Sequence, residues 1–93
     1  MSKIAVENVN VPGSVTNVDA AKYMAMRDAM MAVMTSDPMT AKVIKEAAKA
    51  HLPEDLFPGG ATSGWWLKTV QLDLEAKGKL TRHATKPLSW SLG

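Results

Sequence analysis

Proline and glycine cut this chain into short pieces, and that punctuation limits it to small elements. Pro12-Gly13, Ser36-Asp37-Pro38, Pro53, Pro58-Gly59-Gly60 and Gly78 each stop whatever precedes them. Proline removes a backbone donor and fixes φ, and glycine supplies the positive φ that turns need. No apolar run approaches the ~18 residues of a membrane span. The 93 residues suffice for one domain with a modest core. Hydrophobic residues make up 46% of them, which excludes a disordered chain.

Between the breakers the periodicity predicts three helices. Helix 1 is expected from about Val18 to Thr35, capped by Asn17, with Tyr23, Met26, Met30, Val33 and Met34 on the buried face. Met24 and Met31 form a second strip. Methionine at this spacing reads first as adaptable core packing, and the breadth of the surface allows a dimer seam. Helix 2 is expected from Thr40 or Ala41 to about His51, with Val43, Ile44, Ala47, Ala48 and Leu52 inward. Lys42, Lys45, Glu46 and Lys49 form its solvated face. A connector over 53–61 tucks Leu56 and Phe57 inward. Helix 3 is expected from Thr62 or Ser63 to Lys77, stopped by Gly78 as its C′ residue. Ahead of the helices, Ile4, Val6, Val9 and Val11 are β-branched but alternate poorly. They predict an extended arm laid over a surface, or a short edge strand, within residues 1–16, followed by a domain over 17–93. At the other end, Leu80–His83 and Leu88–Leu92 read as a hairpin around the loop 84–87.

The expected fold class is therefore mainly α with a C-terminal β-hairpin. Three helices followed by a basic two-stranded hairpin resemble the winged helix-turn-helix superfamily. The resemblance is carried by Leu74-Glu75-Ala76-Lys77-Gly78-Lys79-Leu80-Thr81-Arg82, which looks like the end of a recognition helix running into its wing, with Leu67, Val70 and Leu74 in buried positions. It implies nucleic-acid binding, as in a transcriptional regulator. The nine-residue link between helices 2 and 3 departs from the pattern, since a compact helix-turn-helix uses about 3–4. The chain is also similar to a small bacterial family of unknown function. The residues that carry this are Asn8, Pro12-Gly13, Asp19-Ala20-Ala21-Lys22-Tyr23, Phe57-Pro58-Gly59-Gly60 and the stretch Gly64–Glu75. That likeness implies no activity.

Two readings of function follow. In the first, DNA contacts come from Thr62, Ser63, Lys68 and Thr69 at the start of helix 3, where amides and the helix dipole favour a phosphate. Arg82, His83 and Lys86 of the wing extend them. The charge distribution agrees: residues 1–75 carry seven Lys or Arg against nine acids, a net −2, whereas 76–93 carry four bases and no acid, a net +4. In the second reading the chain is a protein-interaction module, a homodimer or a partner's docking site. The outward face of helix 3 carries Trp65 and Leu72, which offer no base-reading hydrogen bonds and gain by being covered. The cover is the arm, a second copy or another protein. Met24 and Met31 would join that interface.

Catalytic chemistry is not expected. His51 and His83 share no ligand spacing with a carboxylate and there is no cysteine, so neither metal nor other cofactor is expected. Asp73 and Glu75 stand two apart on a helix and point away from each other. Gly59-Gly60 lacks the lysine of a phosphate loop. The absence of cysteine and of an apolar leader predicts a cytoplasmic protein without a membrane segment.

Overall fold

The computed structural model describes residues 2–93. The chain runs β1 (Lys3–Glu7), β2 (Val15–Asp19), α1 (Ala20–Val33), β3 (Met39–Thr40), α2 (Ala41–Lys49), α3 (Ser63–Ala76), β4 (Leu80–His83) and β5 (Ser89–Leu92). A single 3-10 turn at Pro58–Gly60 leads into α3.

The expected mainly α, winged helix-turn-helix architecture is overturned. Five strands form two sheets, β1-β2 at the N-terminal end and a second sheet of β3, β5 and β4. The expected arm or edge strand is β1, and it is one half of an antiparallel hairpin whose return strand β2 was not expected, with Ile4 opposite Val18 and Val6 opposite Thr16. Ile4, Val6 and Val18 fall on one face and pack on the core. The alternation looked poor because Val9 and Val11 belong to the connecting loop, not to a strand. The loop turns through Asn8–Ser14, where Gly13 takes φ +87°. Helix 1 starts later than Asn17 for the same reason. Residues 15–19 are the return strand, and Asp19 is the true N-cap, accepting from the Ala21 and Lys22 amides at 2.9 and 3.4 Å.

Helices α2 and α3 lie within the spans that the periodicity predicts. Thr40 caps α2 through Val43 N–H. Gly78, at φ +74°, ends α3 in a Schellman turn: Lys79 N–H donates to Leu74 C=O at 2.8 Å and Gly78 N–H to Glu75 C=O at 3.1 Å. The turn throws the chain straight into β4. β5 returns against β4 with Leu80 opposite Leu92, and its other edge takes Met39–Thr40 as a third strand, giving the order β3-β5-β4. The expected two-stranded wing is thus a three-stranded sheet. Two residues just before a helix carry no periodicity of their own, so this strand was invisible in the sequence.

The core sits where α1, α2 and α3 meet, around Met26, Met30, Ile44, Phe57 and Val70, all essentially inaccessible. Met26 and Met30 of α1 are core packing, Met31 is half-buried against them and Met24 lies at the surface. Helix α3 is central. It is enclosed along most of its circumference, and only Gly64, Trp65, Lys68 and Ala76 are fully exposed. No helix among the described residues is long and apolar enough to cross a membrane.

Candidate functional site

The C-terminal half of α3 carries two carboxylates that the fold consumes. Asp73 is completely buried. It accepts from the Glu7 backbone N–H at 2.8 Å, from the Tyr23 hydroxyl and from Lys77 Nζ at 2.8 Å. One side chain thus ties the N-terminal hairpin, α1 and α3 together. Burial first, and then the hydrogen bond and negative charge of Asp73, push the Tyr23 phenol well above its ordinary value. Burial alone would raise the Glu75 carboxyl. The hydrogen bonds from Arg82, Gln71 and Trp90 outweigh it and hold Glu75 below the usual carboxylate range. Arg82 reaches it with Nε at 2.8 Å and its terminal nitrogen at 3.1 Å. Trp90 Nε1 donates at 2.9 Å and Gln71 Nε2 at 3.1 Å. The guanidinium also lies 5.9 Å from the Trp90 ring centre.

The N-terminal half of α3 is different. Between it and α2 runs an open groove of about 580 Å³. Lys42 and Lys45 line it from α2, Lys68 from α3 and Arg82 from β4, over a floor that includes Leu67, Leu72, Leu88 and Trp90. Among the described residues, Lys42, Lys45 and Lys68 have no carboxylate within ion-pair distance. Glu46, the one acid lining the groove, is 3.6 Å from Lys49. Lys45 Nζ stands 3.8 Å from where a Cβ on Gly64 would sit, over the first turn of α3. That turn contains no acid, and Thr62 gives it no side-chain cap. Thr62 takes a left-handed φ of 59°, and its hydroxyl donates to Ala61 C=O at 2.6 Å. An ammonium beside the positive end of a helix dipole is an unfavourable pairing that an anion would relieve.

Of the residues expected to meet nucleic acid, the fold brings Lys68 and Arg82 to this groove. Arg82 is already committed to Glu75. Ser63 is buried, and Thr69 is half-buried on the far side of α3. His83 Nε2 is 2.8 Å from Ser91 Oγ within the sheet, and Lys86 is exposed in the β4–β5 loop. Of the expected interface residues, Leu72 is only 9% exposed because β1 and β2 lie beside it, whereas Trp65 remains 58% exposed. Trp65 borders a smaller hollow of about 150 Å³ with Val6, Thr16, Val18 and Thr69, and Leu72 lines both hollows. Trp65 meets Trp66 edge to face, 5.0 Å between centroids. Lys42 and Lys45 were read as a solvated face. Their i,i+3 spacing puts them on one side of α2, but only the fold shows that this side faces Lys68.

No curated protein and no solved structure matches the chain. No match supports the winged-helix resemblance. The likeness to an uncharacterised small family does hold: over residues 3–90 the chain matches, and so belongs to, the family of unknown function DUF6958.

Proposed function

We propose that this chain is a non-catalytic nucleic-acid-binding domain that holds the phosphate backbone in the groove between α2 and α3. The reading is carried by one observation: Lys42, Lys45 and Lys68 come from two helices to one groove and none has a carboxylate partner among the described residues. Lysines on separate elements repel one another weakly in water, and a polyanion that binds them releases its condensed counterions to bulk solution, a gain in entropy. The contacts are to the backbone rather than to base edges, because most of α3 is covered and cannot be inserted into a major groove. Titrating labelled nucleic acid of random sequence at rising salt tests this. The expected log-affinity slope on log salt is about −2 to −3, and the triple variant Lys42→Ala/Lys45→Ala/Lys68→Ala should abolish most of it. Absence of binding at low salt sinks the proposal.

A second reading has its own support. The groove floor is apolar and Leu88 is 42% exposed on it, which suits an acidic amphipathic segment of a protein better than a phosphodiester chain. An acidic apolar peptide that competes for the groove, with nucleic acid failing to bind, favours this protein-interaction module.

A further inference from the structure

Trp65 is the one large aromatic ring left open to solvent, at 58% exposure. The ring meets buried Trp66 edge to face and stands on the first turn of α3. The next residue before it, Gly64, lines the cationic groove, as does Lys68 one turn on. Leu72 lines both the hollow that Trp65 borders and the groove that Lys68 lines, and the spacing 65, 68, 72 puts the three on one side of α3. A strand whose phosphates follow Lys42, Lys45 and Lys68 passes within one helical turn of an indole face. A duplex keeps its bases stacked inside the helix, whereas a single strand presents base faces free to stack on an exposed ring.

Resting on the nucleic-acid reading above, we propose that the ligand is a single strand and that Trp65 is the platform on which one of its bases stacks. Charge complementarity selects a polyanion, and the exposed indole selects one with aromatic faces. Stacking is tolerant of sequence, so the preference is for single-strandedness and not for a motif.

The test uses the full chain, an oligothymidylate of about 12 nucleotides and the matching duplex. Tryptophan emission should be quenched by the oligothymidylate, and the quench should reverse with salt. Trp65→Ala should weaken single-strand binding about tenfold or more and remove most of the quench, while Trp65→Phe retains much of the affinity. Circular dichroism and melting of both variants should match the parent, because the side chain is exposed. If Trp65→Ala binds the single strand as tightly as the parent, or if the duplex binds more tightly, the stacking assignment falls and the groove reading stands. If neither nucleic acid binds at low salt, the groove reading falls with it. A parent chain that sediments as a dimer and becomes monomeric with Trp65→Ala would show the indole covered by a second copy, and would also overturn the assignment.

Discussion

The two ends of α3 treat charge in opposite ways. At the C-terminal end each carboxylate is surrounded by donors: Asp73 by Glu7 N–H, Tyr23 and Lys77, and Glu75 by Arg82, Gln71 and Trp90. At the N-terminal end, Lys45 and Lys68 face a groove with no such partner. Buried ions are tolerated only when their hydrogen bonds are filled, so the first end is charge used to build the fold. Exposed cations contribute little to stability when isolated, so the second is charge that folding does not use. Charges with partners gather at one end of α3, and charges without them gather where α2 meets its other end.

The comparison breaks most readily at Asp73. Asp73→Ala leaves the Tyr23 hydroxyl and Glu7 N–H without their acceptor, and unfolding in urea should show a loss of about 3 kcal/mol or more. A loss under about 1 kcal/mol would mean that the latch does not hold the hairpin. Glu75→Gln should cost about 1.5–3 kcal/mol, since it replaces a charged acceptor shared by three donors. Because the folded state holds this carboxyl below its ordinary 4.5, its contribution is present above that pH and is lost as pH falls through the lowered value. Melting of the parent should therefore decline in acid more steeply than melting of Glu75→Gln. Tyr23→Phe should cost about 1.5 kcal/mol. The raised phenol makes the opposite pH prediction: stability is full below the ordinary 10.0 and falls as pH rises beyond it, and the phenylalanine variant should lack that alkaline loss. The smallest effect belongs to the groove. The triple lysine-to-alanine variant should melt within about 0.5 kcal/mol per site of the parent. A larger loss would make those lysines structural and erase the contrast.

Much of the helical layout was legible because stop signals are local. Gly78 and the aliphatic run before it predict the end of α3, and Thr40 predicts the start of α2. The strands were harder. β1 and β2 depend on a pairing across a loop whose valines mimic strand residues, and β3 exists only because β5 offers it an edge. The site divides in the same way. Lys68 stands out near the start of helix 3 and Arg82 within a basic tail, but nothing near Arg82 in sequence shows that Glu75 neutralises it. In sequence Asp73 is only one of two acids that stand two apart on a helix and point away from each other. Its burial depends on Tyr23, 50 residues away. Lys42 and Lys45 look like any solvated helix face until α3 is set opposite them. Charge pattern in one dimension reports how many ions there are, and only the packing assigns each a partner.

The bond between Glu7 N–H and Asp73 spans 66 positions, and it sets an order of events during synthesis. A lone two-stranded hairpin is marginally stable in water. Residues 3–19 therefore leave the ribosome well before the helix they dock on exists, with both strand edges open to pairing. Their burial waits for translation to pass Asp73. Chains interrupted earlier would carry an unanchored hairpin, exposed to proteases and to one another.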